Sequence, residues 1–92
     1  MLTVTEGAKQ NLREILIATT DDPEFGLRLS MKPRGQLGLM LLLDKEVPDD
    51  YVVKHEGLKI LLVRQDLMPL VDGVTIGTQD TPEGLRLTIS RE

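Results

Sequence analysis

With 92 residues, the chain is the size of one domain and can bury roughly 60 to 65% of its unfolded surface without staples. One Phe, one Tyr and no Trp exclude aromatic platforms for base stacking, and a net charge of -4 opposes binding to phosphate backbones or anionic membranes. The absence of cysteine excludes disulfides, thiolate metal sites and thiol catalysis by these residues.

No segment indicates export or membrane insertion. Residues 1–9 lack the basic start and the apolar run of a signal peptide, and no apolar stretch approaches the roughly 20 residues that span a bilayer. We therefore expect a cytoplasmic protein that forms a single domain over residues 1–92. Neither a membrane nor nucleic acid is an expected partner.

One amphipathic helix is predicted near the start of the chain. The residues that recur at helical spacing on its buried face are Ala8, Leu12, Ile15, Leu16 and Thr19. Thr5 is one candidate N-cap, and Thr3 followed by Glu6 forms an alternative capping box. The segment TTDDPE should end the helix because Pro23 cannot continue its hydrogen-bond ladder.

The apolar period changes to two after this helix. Apolar residues alternate with polar ones or glycine from Phe25 to Lys32, which predicts a half-buried strand. After a turn at Pro33–Gly38, the residues from Leu39 to Leu43 are apolar on both faces. That pattern is typical of a central strand covered on each side, or of a strand packed against another subunit. The following DKEVPDD is predicted to be a solvated loop.

Two hairpins are predicted in the second half of the chain. Their strands are Tyr51–Val53 and Leu58–Val63 around a turn at HEG, then Val74–Thr78 and Leu85–Ile89 around the loop QDTPEG. Between the hairpins, RQDLMPLVDG allows only a short helical turn because Pro69 would break a longer helix. Asp72 and Gly73 then mark a tight turn.

These elements predict the fold class. One helix, six or seven short strands and a late helical turn indicate a compact, β-rich α+β domain of short mixed or antiparallel strands. A parallel doubly wound sheet is disfavoured because the strands do not alternate with helices.

In this order, the segments resemble the HesB/IscA family, the A-type iron-sulfur cluster scaffold and carrier proteins. LTVTEGAKQNLREIL is similar to the family's opening helix, FGLRLSMK to the strand that leads into the cluster loop, and HEGLKILLVRQDLMPLVDGVTI to its hairpin, short helix and Asp-Gly turn. The resemblance spans nearly the whole chain. It implies a homo-oligomer, either dimer or tetramer, and iron-sulfur assembly proteins as partners.

The family's cluster site depends on three cysteines, one in a Gly-Cys-Ser-Gly loop and two in a Cys-Gly-Cys. Thiolates are soft, anionic ligands that hold iron while permitting its transfer. Here the loop is GQLG, with Gln36 at the cysteine position and Leu37 at the serine position, and the 92 residues include no counterpart of the Cys-Gly-Cys. We therefore expect a degenerate member with no cofactor and no metal site, which has lost cluster binding.

The same loop carries the candidate ligand-binding residues. Lys32, Arg34 and Gln36, with the backbone N–H groups of Gly35 and Gly38, would form a cationic pocket suited to a carboxylate or a phosphate. In the alternative interpretation the glycines only permit the turn and the charges are solvated.

The apolar run beside that loop carries the candidate oligomer interface. Its predicted interface residues are Leu37, Leu39, Met40 and Leu41. A fully buried strand is the alternative, but a small domain has difficulty covering both faces of such a strand. An intersubunit contact would solve this problem, so we expect a homo-oligomer.

No catalytic residue is predicted. His55, the only histidine, is expected to be an exposed turn residue because it has no evident metal-binding or catalytic partners. The pairs Asp21–Asp22 and Asp49–Asp50 lack the ligand spacing of a calcium loop and are expected to be solvated. The leading hypothesis is a non-enzymatic interaction or small-ligand module. The alternative is an accessory assembly protein whose cluster ligands come from a partner's cysteines or from glutathione.

Overall fold

One long helix, seven strands and a 3-10 helix form the part of the chain that a computed structural model describes, residues 1–30 and 40–91. In chain order these are β1 (Thr3–Val4), α1 (Glu6–Thr19), β2 (Phe25–Ser30), β3 (Met40–Lys45), β4 (Tyr51–His55), β5 (Leu58–Val63), the 3-10 helix (Gln65–Leu70), β6 (Val74–Thr81) and β7 (Gly84–Arg91). The predicted β-rich α+β class is confirmed. Neither helix is long and apolar enough to cross a membrane, as far as the described residues go.

The strands form two mixed sheets. The four-stranded sheet has the order β3-β2-β5-β4, and the three-stranded sheet has the order β1-β6-β7. The pairs β2–β5 and β1–β6 are parallel, whereas β2–β3, β4–β5 and β6–β7 are antiparallel. The sequence patterns did not predict β1, whose Thr3 and Val4 lie opposite Thr75 and Ile76.

Helix α1 begins after Thr5, so the first of the two predicted caps is the one used. The Thr5 hydroxyl accepts a hydrogen bond from the Ala8 backbone N–H at 3.2 Å, which satisfies one of the free donors of the first turn. Thr3 instead belongs to β1. The helix ends at Thr19, four residues before Pro23, as predicted.

The core lies where α1 packs on the two sheets. The helix buries Ala8, Leu12 and Leu16, spaced by four residues on one face. The strands supply Leu27, Leu29, Ile60, Leu61, Val63, Val74 and Ile76 to the same two apolar clusters. Each such side chain contributes roughly 1.5 to 3 kcal/mol when fully buried, so apolar packing fixes the helix against the sheets.

Strand β2 is buried on both faces, so the predicted half-buried strand is wrong on this point. Leu27 and Leu29 belong to the core, but Arg28, on the opposite face by strand alternation, is also buried, at 7% exposure. Its charge is tolerated because acidic side chains from later in the chain cover it.

Strand β3 is an edge strand and not the predicted central strand. It has one neighbour, β2, within the described sheet. Only Leu41 packs on the core, whereas Met40, Leu42 and Leu43 remain exposed. The strand runs on to Lys45, so the predicted solvated loop begins two residues later than expected.

Both predicted hairpins form. Between β4 and β5, Glu56 and Gly57 have positive φ values of 51° and 83°, the conformation that favours glycine. Strands β6 and β7 are longer than predicted and leave only Pro82–Glu83 between them, so the six-residue loop QDTPEG is wrong. The late helical turn and the turn at Asp72–Gly73 are confirmed, with φ of 78° at Gly73.

Candidate functional site

The candidate site is the end of the four-stranded sheet where the chain leaves β2 and returns in β3. Ser30, the last residue of β2, lies opposite Met40, the first residue of β3. The predicted ligand-binding residues Lys32, Arg34, Gly35, Gln36 and Gly38, and the predicted interface residues Leu37 and Leu39, lie outside the described residues. The structure therefore gives the frame that holds both ends of this segment.

A buried arginine cluster forms the polar part of that frame. Arg28 donates from Nε to Asp44 Oδ2 at 2.7 Å, from Nη1 to Asp50 Oδ1 at 2.9 Å, and from Nη2 to Asp50 Oδ2 at 2.7 Å. Nη2 also donates to the Lys45 carbonyl oxygen at 2.9 Å. The Asp50 side chain is fully buried and also accepts from the Val47 backbone N–H at 2.8 Å.

The charges in this cluster stabilise one another. Hydrogen bonding to the Arg28 guanidinium lowers the pKa of Asp50, and the Val47 N–H acts in the same direction. The Arg28 guanidinium also lowers the pKa of Asp44, with help from the Lys45 N–H. Hydrogen bonds to Asp50 raise the pKa of Arg28 above its usual value, so all three groups stay charged at neutral pH.

The cluster is satisfied by the chain itself. A guanidinium has five N–H donors, and four hydrogen bonds from Arg28 end on protein oxygens. Arg28 therefore acts as a clamp that joins β2 to β3 and to the segment before β4. The prediction that Asp50 is solvated is wrong, because its buried carboxylate accepts hydrogen bonds from Arg28, 22 residues earlier in the chain.

A groove lies beside the clamp, and we call it the outer groove. It has a volume of about 400 Å³, and the residues that line it include Arg28, Ser30, Leu42, Asp44, Arg64 and Leu67. Arg64 stands on one side with Asp66, at 3.3 Å between Nη2 and Oδ2, and both side chains are about two-thirds exposed. The outer groove thus has mixed polarity and opens next to β3.

The two predicted interface residues that are described face in different directions. Leu41 packs on the core, so its side chain belongs to the interior. Met40 is 38% exposed and Leu42, which was not among the predicted interface residues, is 53% exposed. Among the described residues, the exposed apolar surface of β3 therefore includes Met40 and extends past the predicted interface residues to Leu42 and Leu43.

The described residues offer few side chains placed to bind a metal ion. Within residues 1–30 and 40–91, no three His, Asp or Glu side chains are grouped so that they could hold a metal ion. His55 is the last residue of β4 and is partly buried, so it is not the fully exposed turn residue that was expected. Asp21, Asp22 and Asp49 are exposed, as predicted.

No family model and no curated protein sequence matches the chain. Solved structures do. The Escherichia coli protein SufA, involved in biosynthesis of iron-sulfur clusters, superposes with a TM-score of 0.67 and 26% identity over 98% of this chain and 84% of SufA. The chain has the HesB/IscA fold of the A-type iron-sulfur proteins. The resemblance inferred from the sequence segments is confirmed.

Two further structures show the same HesB/IscA fold. IscA, solved with its 2Fe-2S cluster, gives a TM-score of 0.64 at 13% identity and covers 99% of this chain and 85% of its own. A protein from Aquifex aeolicus, solved by NMR, gives 0.62 at 20% identity and covers 99% of this chain and 91% of its own.

Sequence patterns missed the Arg28 clamp within this HesB/IscA fold. An arginine that alternates with leucines in a strand is normally assigned to solvent, and its acceptors are 16 and 22 residues away. One signal was present. The segment DKEVPDD carries four acidic side chains and one basic side chain directly after an apolar strand. This net negative charge offers counter-charges for a basic residue on the neighbouring strand.

Proposed function

We propose that this chain is a protein of iron-sulfur cluster biogenesis type that has lost cluster ligation and acts as a non-enzymatic interaction or small-ligand module. The observation that carries the proposal is the combination of a near full-length HesB/IscA fold with a sequence that has no cysteine. The fold supports common ancestry with the A-type proteins. The absence of cysteine removes the thiolate ligands on which cluster binding in that family depends.

The chemistry of the replacement residue supports the loss. Gln36 stands at the position of the loop cysteine, and a neutral amide is a poor substitute for a soft, anionic thiolate as an iron ligand. The carboxylates of the clamp, Asp44 and Asp50, are engaged by Arg28. Recruiting them as ligands would leave the buried guanidinium without its counter-charges, which is strongly unfavourable.

Anaerobic reconstitution tests the loss directly. The protein is incubated with ferrous iron and sulfide, desalted, and measured for bound iron and visible absorbance, with IscA, solved with its 2Fe-2S cluster, as the positive control. We expect no stoichiometric iron and no visible bands. A cluster retained by the isolated protein would overturn the proposal.

The same assay separates the alternative role. Reconstitution is repeated with glutathione and with a cysteine-bearing assembly protein. A cluster that appears only with one of these additions would favour the accessory role, in which the missing thiolates come from outside.

The small-ligand part of the proposal concerns the predicted loop pocket around Lys32, Arg34 and Gln36. Calorimetric titration with inorganic phosphate and with a di- or tricarboxylate tests it, using Arg34→Gln as the variant and Arg86→Gln, on the distal part of the β6–β7 hairpin, as the matched control. Loss of a measured affinity in the first variant alone supports the pocket. Equal behaviour of all three proteins would favour a plain turn with solvated charges.

A further inference from the structure

An apolar pocket lies where α1 ends and β2 begins, and we call it the helix-end pocket. Its volume is about 220 Å³, and the apolar residues that line it include Leu16, Ile17, Phe25 and Leu58. Leu16 is 3% exposed and belongs to the core, whereas Ile17 is 52% exposed. The helix-end pocket therefore leads from open apolar surface down to the core, and a molecule bound there would cover Ile17.

The rim of the helix-end pocket is acidic. Asp21 and Asp22 line it and are exposed, and Glu24 follows in the same connection. Among the described residues, only Glu24 of these three has a cationic partner, Lys45, whose Nζ lies 3.6 Å from its carboxylate and 5.4 Å from the centre of the Phe25 ring. The Asp22 carboxylate accepts from the Glu24 backbone N–H at 2.9 Å, which orients it without neutralising it. Two carboxylate charges thus remain uncompensated at the rim.

The C-terminal end of α1 adds negative potential at the same place. Thr20 follows the helix in an extended conformation, and not in the left-handed conformation that often caps a helix. Within the described part of the chain, the carbonyl oxygens of Ile17, Ala18 and Thr19 accept no hydrogen bond. The last turn has no basic residue, although a cation is the charge that stabilises a helix C-terminus.

Basic side chains on the neighbouring elements are paired with other carboxylates. Lys59 Nζ, on β5, lies 3.1 Å from Glu46 Oε1. Arg13 Nε, on α1, lies 2.9 Å from Glu56 Oε2. The chain therefore leaves the negative end of the helix-end pocket to be compensated from outside.

We propose that the helix-end pocket binds a small organic cation, with a primary ammonium group at Asp21 and Asp22 and a compact apolar group against Ile17 and Phe25. A mostly apolar site with a few polar groups at one end fixes both the affinity and the orientation of a small ligand. The negative rim disfavours carboxylates and phosphates.

The inference goes beyond the proposed function, because the site and the charge of its ligand both differ. Phe25 begins β2 and Ser30 ends it, so the helix-end pocket and the candidate site lie at opposite ends of this strand, roughly 16 Å apart. The loop pocket at the candidate site was predicted to take an anion. Either site can be absent without affecting the argument for the other.

The size of the helix-end pocket decides the probe. Sites for drug-sized ligands usually measure about 300 to 1,000 Å³, so a volume of about 220 Å³ suits a single ring with a short chain. Phenethylamine, which is cationic at neutral pH, is such a molecule. Phenethyl alcohol is its neutral counterpart, and ethylamine carries the same charge without the ring.

Amide chemical shifts of the nitrogen-15-labelled protein, followed by NMR at neutral pH and low ionic strength, test the site. We expect phenethylamine to cause saturable shifts centred on residues 16–25 and Leu58, with a Kd of roughly 1 mM. Phenethyl alcohol should bind at least roughly threefold more weakly, because it lacks the charge that the rim attracts. Ethylamine should not reach saturation, because it buries no ring.

Two variants with matched controls separate the charge from the apolar contact. Asp21→Asn should weaken phenethylamine binding roughly threefold and leave phenethyl alcohol binding unchanged. Its control is Asp80→Asn, at an exposed aspartate of β6, which should affect neither probe. Ile17→Ala should weaken the binding of both probes by at least roughly threefold. Its control is Leu85→Ala, at a 57% exposed leucine of β7, which should affect neither.

The same spectra show whether each variant is folded, and the comparison of the three probes on the wild type decides the question if one variant is not. Three results would each overturn the proposal: no saturable shift at these residues, equal affinity for phenethylamine and phenethyl alcohol, or equal effects of Asp21→Asn and Asp80→Asn.

A peptide with one lysine between leucines is titrated alongside the small probes. Tighter binding of this peptide than of phenethylamine in the helix-end pocket would overturn the assignment to a small molecule and favour a protein partner. None of these results touches the iron reconstitution or the titrations with phosphate and carboxylates. Failure of this proposal is therefore distinguishable from failure of the proposed function.

Discussion

Arg28 and Asp50 form a two-pronged ion pair, with Nη1 to Oδ1 at 2.9 Å and Nη2 to Oδ2 at 2.7 Å, on the face of the sheet opposite the helix. The Asp50 side chain is fully buried and that of Arg28 is 9% exposed. Such a pair is weak evidence for net stabilisation, because burial of both charges is costly, but removal of one partner leaves the other charge uncompensated. The pair therefore fixes the segment before β4 onto β2.

Replacement of Asp50 should be among the most destabilising single changes outside the apolar core. We expect Asp50→Ala to lower the free energy of unfolding by about 3 kcal/mol, the lower end of the range for broken buried pairs, because Asp44 still accepts from Arg28. Urea unfolding followed by circular dichroism measures the change. The neighbouring exposed Asp49 provides the control, and Asp49→Ala should stay within about 0.5 kcal/mol of the wild type.

The same cluster predicts how stability depends on acid. The pKa values of Asp44 and Asp50 are lowered in the folded state, so their contribution is fully present above the unfolded aspartate pKa of about 3.9 and is lost as pH falls through that value towards the folded pKa. Arg28 stays charged in both states and adds no slope. Urea unfolding between about pH 3 and pH 7 should give a steeper decline below pH 5 for the wild type than for Asp50→Ala. Equal slopes would show that the pair does not control acid sensitivity.

Gly26 should not tolerate a methyl group. A Cβ at this position would lie 2.6 Å from the Lys59 carbonyl oxygen and 3.1 Å from the Leu62 side chain, where β2 approaches β5. Backbone cannot yield as a flexible side chain does, so we expect Gly26→Ala to cost about 1 to 3 kcal/mol. Gly77, a buried strand glycine whose Cβ would meet its nearest atom at 3.4 Å, is the control. Thermal unfolding should show a clear loss for Gly26→Ala and little change for Gly77→Ala.

Thr5 and Thr3 should differ in their contribution to the helix, although both were candidate caps. Thr5→Ala removes the hydroxyl that accepts from the Ala8 N–H and should cost about 1 kcal/mol. Thr3→Ala affects an exposed side chain in β1 and should cost clearly less. Chemical denaturation of both variants compares them, and a larger effect of Thr3→Ala would indicate that the helix starts from the other cap.

Local patterns predicted those elements whose information lies within a few residues. The face of α1 formed by Ala8, Leu12 and Leu16 is visible in the helical period, and Gly57 and Gly73 mark turns where positive φ is needed. The predicted ends of the strands were less accurate. Backbone pairing extends β6 and β7 through polar residues to Thr81 and Gly84, beyond the point where the alternation of apolar residues ends.

Non-local relationships explain the remaining errors. The apolar run ending at Leu43 showed that both faces of β3 favour burial, but a linear pattern cannot say whether the cover comes from the same chain. The prediction of a half-buried β2 was wrong because Asp50, the partner of Arg28, lies 22 residues later in the chain, beyond β3. The fold was therefore predicted well from the order of the elements and from the family resemblance. The clamp and the exposed edge of β3 depend on contacts between distant parts of the chain, which local sequence patterns do not show. The predicted pocket around Gln36 stays a prediction.

The parallel pairing of β1 with β6, in which Thr3 lies opposite Thr75, has a consequence for biosynthesis. A ribosome adding roughly 5 to 20 residues per second needs several seconds to deliver β6 after β1 has been made. Until then the nascent chain has no partner for its first strand, and α1 lacks Val74 and Ile76 as packing surface. The amino-terminal third should therefore lack stable tertiary structure during translation. It should fold cooperatively with the last hairpin, once that hairpin has left the ribosome.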